Sequence, residues 1–258
     1  MEDNNGMVHS KLWIEEQIED FMGMRYRVDN VLFSGKSEFQ TVDVVETRGH
    51  GKMLLNDGLV MLTERDEFVY HDMITHVPLF THPKPKRVLV IGGGDGGTAR
   101  EVLRHNEVEF CKMVEIDKMV VDACVAHIPQ TAACLTQGDA RFELVIDDAV
   151  KYYKLAHYIV LPSYREGLSK VLLEAASCRR PIITTSVPGC KDIVTDSYNG
   201  FLCDPKDSNS LSSAITKAIQ LDKKSYYNMA NNGRKKIMEN FTSEKINDSY
   251  YNIIRPYL

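Results

Sequence analysis

Residues Arg87–Gly97 have the sequence RVLVIGGGDGG, an apolar strand that runs directly into a glycine-rich loop. After Arg87 every position to Ile91 is apolar, and a helical pattern follows the loop as far as His105. A strand that is apolar on both faces is typical of a parallel sheet with helices on each side. The stretch therefore predicts the first strand–helix unit of a doubly wound α/β domain.

The same alternation continues along the chain. Further strands are predicted at Cys111–Ile116, Phe142–Ile146, Tyr158–Leu161, Pro181–Thr185 and Gly200–Cys203. Helices are predicted near Lys118–His127, Ala149–Leu155, Leu168–Cys178 and Lys191–Thr195, and in three pieces after Asp204 with breaks near Asp222 and Phe241. Together these elements predict a six-stranded parallel, Rossmann-like sheet with strand order 3-2-1-4-5-6.

The residues before this sheet predict a small antiparallel β-domain. Asn56-Asp57-Gly58 between two apolar runs is a strong hairpin signal. The predicted strands are Arg25–Phe33, Gln40–Glu46, Lys52–Leu55 and Val60–Thr63, and a helix capped by Thr63 is predicted at Glu64–Val77. We expect the β-domain and linking helix over residues 1–78 and a Rossmann-like domain over 79–258, with halves 79–154 and 155–258.

Composition excludes several classes of protein. The 258 residues are 43% apolar and 26% charged with a net charge of −5, which is typical of a globular protein and not of a disordered or nucleic-acid-binding one. No apolar run is long enough for a membrane helix, and Met1–Ser10 lacks the apolar core of a secretion signal. The six cysteines form no C-x-x-C pair. We expect a cytoplasmic protein without a metal site.

Charge is distributed unevenly along the chain. Residues 1–154 hold 17 Lys and Arg against 26 Asp and Glu, whereas residues 155–258 hold 14 against 10. An acidic surface favours a cationic ligand and a basic one favours an anion such as a nucleotide phosphate. An unevenly charged solvated surface explains the counts equally well.

Three acidic residues follow successive predicted strands. The loop Gly92–Gly97 fits G-x-G-x-x-G, but the carboxylate of Asp95 would repel a pyrophosphate and attract a sulfonium or ammonium group. Glu115 ends the second strand, where a carboxylate can accept both ribose hydroxyls, and Asp148 ends the third, within reach of an adenine amino group. The pattern favours an S-adenosyl-type ligand over a dinucleotide. Helix-capping acids beside a glycine turn are the alternative.

Residues Leu12–Tyr153 resemble spermidine synthase, a polyamine aminopropyltransferase. The motifs that carry the resemblance are Leu54-Leu55-Asn56-Asp57-Gly58, Thr63–His71, Gly92–Gly97, Val114-Glu115-Ile116-Asp117 and Ile146-Asp147-Asp148-Ala149. The resemblance implies that decarboxylated S-adenosylmethionine is held by Gln40, His71, Asp95, Glu115 and Asp148 with the loop glycines Gly92, Gly94 and Gly97. It also implies that Tyr70 flanks the diamine, that no cofactor is tightly bound, and that the protein is a homodimer or larger.

The chain departs from this family where a catalytic carboxylate is expected. In such enzymes an amine attacks the carbon next to the sulfonium, and a carboxylate must take its proton. The family carries an Asp-x-x-Asp-Pro segment after the fourth strand, and here Ser163 and Glu166 stand at its two acidic positions. A hydroxyl cannot replace a carboxylate as a base at neutral pH. We therefore expect little or no turnover.

Residues Ala156–Leu258 resemble the C-terminal part of a family-4 glycosyltransferase of the two-Rossmann-domain type. The motifs are Val160–Gly167, Leu172–Ala175, Arg180–Thr185, Val187–Cys190 and Asn199–Leu202. By this resemblance Glu166 and Glu174 form the E-x7-E pair, with Glu174 facing the ribose of a nucleotide sugar. Arg179 stands where a glycine is usual, which puts that turn in doubt.

The two resemblances predict a composite chain joined near Tyr153–His157. Three functions stay open: a thionucleoside-binding aminopropyltransferase module with impaired turnover, a nucleotide-sugar-binding glycosyltransferase remnant, and an engineered fold without activity. The expected partners are a polyamine and a thionucleoside, with no nucleic acid or membrane. His76, His82 and His105 have no ligand at useful spacing and are expected to be ordinary surface or core residues.

Overall fold

The computed structural model describes residues 12–19 and 22–255, which form two compact units. One unit comprises the described residues up to Phe68 together with Gly94–Gly97 and Asp117–Gly138, and the other comprises Val69–Gly93, Thr98–Ile116 and the described residues from Asp139. The expectation for Met1–Ser10 concerns residues outside this part. No helix in the described ranges has the length and apolar character needed to cross a membrane.

The first unit contains an antiparallel sheet with its five strands in sequence order. The strands are β1 (Leu12–Glu19), β2 (Met22–Lys36), β3 (Thr41–Thr47), β4 (Gly51–Asn56) and β5 (Leu59–Thr63). The predicted hairpin joins β4 to β5, with Asp57 at φ 49° and Gly58 at φ 79°. Two successive left-handed residues match the right-handed twist of the flanking strands, which explains the Asp-Gly pair.

Helices of the first unit cover one face of this sheet. They are α3 (Lys118–His127) and the single turn α4 (Pro129–Ala132). Val42 and Val44 of β3 pack with Val120 and Cys124 of α3 in one buried cluster. The cluster therefore ties the β-domain to residues that follow the second predicted strand of the Rossmann-like domain.

The second unit is an alternation of helices and parallel strands. Its strands are β6 (Arg87–Ile91), β7 (Phe110–Glu115), β8 (Phe142–Ile146), β9 (Ile159–Leu161), β10 (Ile182–Thr185) and β11 (Gly200–Cys203). Its helices are α1 (Glu67–Thr81) from Val69 on, α2 (Gly97–Leu103) after its first residue, α5 (Lys170–Ser177), α6 (Cys190–Ile193), α7 (Ser208–Ile219), α8 (Lys223–Asn240) and α9 (Ser243–Ile254).

The parallel strands form two sheets rather than the one sheet expected. The orders are β6-β7-β8 and β11-β10-β9, so the continuous order 3-2-1-4-5-6 is not confirmed. In the described residues β6 pairs with β7 and β9 pairs with β10, and β9 has only three residues with which to form a ladder. The apolar pattern of a strand shows that both faces are buried, but it does not identify the neighbouring strand.

One core nevertheless includes residues from both predicted halves of the second unit. Tyr153, Leu172, Ile182 and Ile237 are buried together, and Ile91 at the end of β6 packs against them. Burying this much apolar side chain contributes about 1.5–3 kcal/mol per large residue. The two halves are thus joined by packing as well as by the chain.

Several element boundaries differ from the sequence prediction. Helix α1 begins at Glu67 instead of Glu64, because Thr63 and Asp66 first form a hydrogen-bonded turn, and it continues through Pro78 to Thr81. The helix expected at 149–155 is two short 3₁₀ turns, Ala149–Lys151 and Tyr153–Leu155. Strand β1 was not predicted. Its first six residues, LWIEEQ, are three apolar residues followed by three polar ones, so they lack the alternation that identifies a strand.

Candidate functional site

The glycine loop begins with two residues that need a left-handed backbone. Gly92 has φ 74° and Gly93 has φ 81°, and the Gly92 amide donates to the Val114 carbonyl at 2.8 Å. A Cβ on Gly92 would lie 4.0 Å from Oε2 of Glu115. Glycine therefore sets the turn and keeps the approach to the Glu115 carboxylate free of a side chain.

Glu115 is the last residue of β7 and is only 8% exposed. Its carbonyl accepts the Asp147 amide at 3.1 Å, which fixes the backbone at the ends of two adjacent strands. A buried carboxylate is costly unless hydrogen-bond donors satisfy it. Of the acids predicted to contact a ligand, Glu115 is the most deeply buried.

Asp148 is exposed, and its Oδ1 accepts the Val150 amide at 2.9 Å as a cap for the following turn. Its neighbour Asp147 pairs with Lys151 at 2.6 Å and accepts the Tyr152 hydroxyl at 3.1 Å. The hydrogen bond from Lys151 lowers the pKa of the Asp147 carboxyl. Capping of the following turn, the alternative role expected for Asp148, thus accounts for one of its two carboxylate oxygens.

The remaining loop residues, Gly94–Gly97, belong to the first unit. The half-buried Asp95 accepts the Gly97 amide through Oδ1 at 2.8 Å, at the first residue of α2. Gly96 has φ 82°, and a Cβ there would lie 2.8 Å from the Thr131 carbonyl oxygen. Packing against residues 131–132 therefore holds this end of the loop in one conformation.

Gln40 is held by a residue that sequence reasoning missed. Its Nε2 donates to Oδ2 of Asp117 at 3.0 Å, and the Ser37 hydroxyl donates to the same oxygen at 2.8 Å. Oδ1 of Asp117 accepts the Met119 amide at 2.9 Å and caps α3. Asp117 is 1% exposed. An Asp before a helix predicts a cap. The sequence does not predict the contacts of Asp117 with Gln40 and Ser37, which precede it by 77 and 80 residues in the chain.

Tyr70 and His71 are adjacent on α1 but differ in exposure. His71 is buried, whereas Tyr70 is 43% exposed, and their rings meet edge to face with centroids 5.6 Å apart. An exposed aromatic ring beside a buried imidazole can lie against an apolar ligand chain. The roles implied for both residues by resemblance stay predictions.

Ser163 and Glu166 are in direct contact. The Ser163 hydroxyl donates to Oε1 of Glu166 at 2.6 Å, and the Ser163 carbonyl accepts the Thr185 hydroxyl. Ser163 is buried and Glu166 is half-buried. The two residues that the resemblance places at the acidic positions of the catalytic segment thus lie together, as a hydroxyl and a carboxylate.

Glu174 is also engaged within the protein. Its Oε2 accepts the hydroxyl of the fully buried Tyr153 at 3.1 Å, and Lys170 lies 3.8 Å from its Oε1. Burial and the Glu174 charge raise the pKa of the Tyr153 hydroxyl, which stays protonated as a donor. The predicted ribose contact of Glu174 would therefore compete with an internal hydrogen bond.

A histidine–carboxylate network lies elsewhere in the second unit. Nε2 of His76 lies 3.0 Å from Glu101 and 3.5 Å from Asp72, and Nδ1 of His76 lies 2.8 Å from Nε2 of His105. The ligand atoms of Asp72, His76 and Glu101 lie within 4.8 Å of one another. The buried Glu101 carboxylate also pairs with Arg100 and Arg104, which neutralise it without a metal. The expectation that His76 has no partner at useful spacing is therefore wrong, because Asp72 stands four residues before it on the same helix.

Family models match three stretches of the chain. Residues 12–64 match the spermidine synthase tetramerisation domain, residues 67–160 match the spermine/spermidine synthase domain, and residues 130–236 match the glycosyl transferases group 1 family. The last two matches overlap over residues 130–160. The first two include every residue assigned by resemblance to the S-adenosyl ligand.

Curated relatives are polyamine aminopropyltransferases. That of Alkaliphilus oremlandii is 51% identical over 144 residues, which are 56% of this chain and 50% of that protein. That of Shouchella clausii is 39% identical over 180 residues, which are 64% of this chain and 66% of that protein. The chain thus spans about half the length of the first of these relatives.

Solved structures give the same assignment. The spermidine synthase of Thermotoga maritima matches with a TM-score of 0.57 and 29% identity, over 88% of this chain and 70% of that one. A spermidine synthase in complex with the transition state analogue AdoDATO matches with a TM-score of 0.59 and 29% identity, over 88% and 71%. The chain therefore carries spermidine synthase domains over residues 12–64 and 67–160.

Proposed function

We propose that this protein is a spermidine-synthase-like module that binds decarboxylated S-adenosylmethionine or its product methylthioadenosine. The proposed binding residues are Gln40, His71, Asp95, Glu115 and Asp148 with the glycines of the loop. The AdoDATO complex of a similar spermidine synthase and the aminopropyltransferase relatives support this ligand class.

The observation that carries the proposal is the Glu115 carboxylate. It is buried at the carboxyl end of β7, and Gly92 presents no side chain toward it. Ligands of open α/β sheets bind outside the carboxyl ends of the strands, where a carboxylate can accept both hydroxyls of a ribose. Hydrogen bonding of the ribose to this charged acceptor contributes about 1.5–3 kcal/mol.

The proposed chemistry is aminopropyl transfer with little or no turnover. The amine nitrogen of a polyamine attacks the carbon next to the sulfonium, the carbon–sulfur bond breaks, and methylthioadenosine leaves as a neutral thioether. The attacking nitrogen must lose a proton to a base. Ser163 stands at the position of that base, Glu166 is the nearest carboxylate to it, and Tyr70 would flank the amine. Replacement of the base limits the rate in this proposal.

We further propose that residues 155–258 derive from a glycosyltransferase, which makes the chain a composite. The match to glycosyl transferases group 1 over residues 130–236 favours this origin and keeps nucleotide-sugar binding as a second candidate function. The internal hydrogen bonds of Glu166 to Ser163 and of Glu174 to Tyr153 disfavour that candidate, because ligand binding would have to break them. An inactive engineered fold is the third candidate.

A calorimetric titration separates these candidates. Methylthioadenosine should bind the unaltered chain, and Glu115→Ala should weaken binding by about 1.5–3 kcal/mol. Glu143→Gln on β8, where Glu143 pairs with Lys112 at the surface, is the matched control and should bind normally. Heat with a uridine diphosphate sugar alone would favour the second candidate. Absence of heat with both ligands would leave the inactive fold.

We also propose that the chain assembles into a homodimer or a larger oligomer. The match of residues 12–64 to a tetramerisation domain supports assembly. Leu12, Trp13, Met22 and Met24 of the β1–β2 hairpin are each about half exposed, and such apolar groups commonly mark an interface. Light scattering should give a mass above the 29.3 kDa of one chain. A cytoplasmic location stays a prediction.

A further inference from the structure

The side-chain amide of Gln40 has only one orientation that its neighbour permits. Its Nε2 lies 3.0 Å from Oδ2 of Asp117, and a carboxylate can only accept hydrogen bonds. Because the amide is planar, its oxygen then lies on the branch directed away from Asp117. Gln40 therefore presents an acceptor, and not a donor, on the side opposite Asp117.

Asp117 is itself fixed by two further contacts. Oδ1 accepts the Met119 amide at 2.9 Å, and Oδ2 accepts the Ser37 hydroxyl at 2.8 Å. The Ser37 oxygen in turn accepts the amides of Phe39 and Gln40 at 3.0 and 3.1 Å. The turn that carries Gln40 and the cap of α3 are thus one hydrogen-bonded assembly, all within the first unit.

We infer that Asp117 is a positioning residue that sets the hydrogen-bonding polarity of the ligand site, an inference that rests on the proposed function. It holds Gln40 so that the amide oxygen meets an N–H or O–H donor of the thionucleoside. Three groups of that ligand supply such donors: the ribose hydroxyls, the adenine amino group and the ammonium of the aminopropyl chain. A ligand group that offers only acceptors is rejected at this position.

Asp117→Asn tests this polarity without removing the helix cap. The Met119 amide needs an acceptor, so the oxygen of the introduced asparagine takes the place of Oδ1 and its NH2 group takes the place of Oδ2. That NH2 group now faces Gln40, whose amide must turn over and direct its own NH2 toward the ligand. The NH2 group of Gln40 would then face a donor of the ligand, where the Gln40 oxygen had accepted a hydrogen bond. Loss of that hydrogen bond should weaken ligand binding about tenfold.

A compensating exchange is the matched control. In the double variant Asp117→Asn with Gln40→Glu, one oxygen of the introduced glutamate accepts from the introduced asparagine, and the other oxygen faces the ligand as an acceptor. The total charge of the pair is unchanged. Binding should recover to within about threefold of the unaltered chain, which corresponds to less than about 0.7 kcal/mol. Asp207→Asn changes another helix cap, that of α7, and should leave binding unaffected.

The experiment titrates methylthioadenosine and decarboxylated S-adenosylmethionine into each variant of the chain. Weaker binding of both ligands to Asp117→Asn identifies a donor of the nucleoside, a ribose hydroxyl or the adenine amino group, and weaker binding of the second ligand alone identifies the ammonium. Unchanged affinity for both, or no recovery in the double variant, overturns the inference while the proposed function stands. Failure of both ligands to bind the unaltered chain overturns the proposed function and the inference with it.

A measurement on the unaltered chain covers the case in which Asp117→Asn does not fold. In a nuclear magnetic resonance spectrum, one side-chain amide proton of Gln40 should show the downfield shift of a hydrogen bond to a carboxylate. The shift should persist when methylthioadenosine binds. Its disappearance on binding would show that Gln40 turns over, and the inference would be wrong.

Discussion

The hydroxyl of Tyr153 donates to Oε2 of Glu174 at 3.1 Å, and this bond joins residues on either side of the predicted junction of the chain. Tyr153 is fully buried, and Glu174 lies on α5 with about a quarter of its side chain exposed. Removal of the donor would leave a partly buried carboxylate with one hydrogen bond fewer. The bond is therefore a direct probe of whether the two halves fold as one body.

We predict that Tyr153→Phe lowers the free energy of unfolding by about 1.5–3 kcal/mol, the cost of a lost hydrogen bond to a charged group. Tyr152→Phe is the control, because Tyr152 donates to the surface residue Asp147 and its loss should cost less than about 0.5 kcal/mol. Urea unfolding measures both values. Equal losses would show that the Tyr153–Glu174 bond does not stabilise the junction.

The end of α5 provides a stabilising substitution. Arg179 has φ 55°, and the amides of Arg179 and Arg180 donate to the carbonyls of Ala176 and Ala175 at 3.0 and 2.9 Å. This is a Schellman motif with arginine at the position that favours glycine. We predict that Arg179→Gly raises the free energy of unfolding by about 1 kcal/mol.

Arg179→Ala separates the backbone effect from the loss of the side chain. Alanine has a Cβ and keeps the left-handed strain, so this variant should gain no stability. A gain of the same size in both variants would trace the effect to the exposed arginine side chain instead of the backbone. Thermal unfolding of the three proteins under one condition gives the comparison.

Stability should fall in mild acid because of His105. Burial, together with the charge of His76, lowers the pKa of the His105 imidazole below its usual value of 6.5. Below pH 6.5 the unfolded chain binds a proton at this residue more readily than the folded protein does. The contribution of neutral His105 is therefore complete above pH 6.5 and is lost as the pH falls from 6.5 toward the folded-state pKa.

We predict a smaller loss of thermal stability between pH 7.5 and about 5.5 for His105→Gln than for the unaltered chain. His82→Gln changes an exposed histidine and should keep the original pH dependence. Unfolding temperatures across this pH range test both statements. Parallel curves for His105→Gln and the unaltered chain would remove His105 as the cause.

Restoring a carboxylate at position 163 should raise aminopropyl transfer. Ser163→Asp provides a base, and general-base catalysis is typically worth about 10²-fold or more. The Ser163 hydroxyl oxygen lies 2.6 Å from the Glu166 carboxylate, so the new charge would meet a like charge in a buried place. We therefore expect Ser163→Asp to lose stability and the double variant with Glu166→Gln to regain part of it.

Spermidine formed from putrescine and decarboxylated S-adenosylmethionine, measured by chromatography, tests this prediction. Both variants should exceed the low rate of the unaltered chain. If neither does while methylthioadenosine demonstrably binds, the missing base is not the main defect of the proposed enzyme. Glu239→Gln, at the surface of α8, controls for the loss of a carboxylate elsewhere.

Local signals explain most of the elements that the sequence predicted well. Helix α3 starts after the Asp117 cap and ends at His127 as expected, and the breaks between α7, α8 and α9 fall near Asp222 and Phe241. Capping residues are local, so their effect is visible in a few adjacent positions. Whether β6 pairs with β9 depends on contacts between distant segments, and the sequence pattern could not show that these strands lie in separate sheets.

The residues of the candidate site also fall into those that a local sequence pattern predicts and those that depend on distant contacts. Glu115 and the glycines were predictable because strand ends and left-handed turns follow from the residues themselves. The contact of Asp117 with Gln40 and that of Tyr153 with Glu174 join distant segments, and a single sequence holds no signal for them. The hydrogen bonds accepted by the Asp117 and Glu174 carboxylates are therefore known only from the structure.

The core that contains Tyr153, Leu172, Ile182 and Ile237 limits how such a protein can arise or be altered. On the proposed composite origin, the chain inherits two sets of side-chain volumes, and the residues at its junction are buried where neither set was selected to meet the other. Close packing tolerates little mismatch at such a place. The few buried residues at the junction therefore determine which segments can be fused. Replacement of either segment by a more distant homologue would require repacking of these residues before any change to a catalytic group.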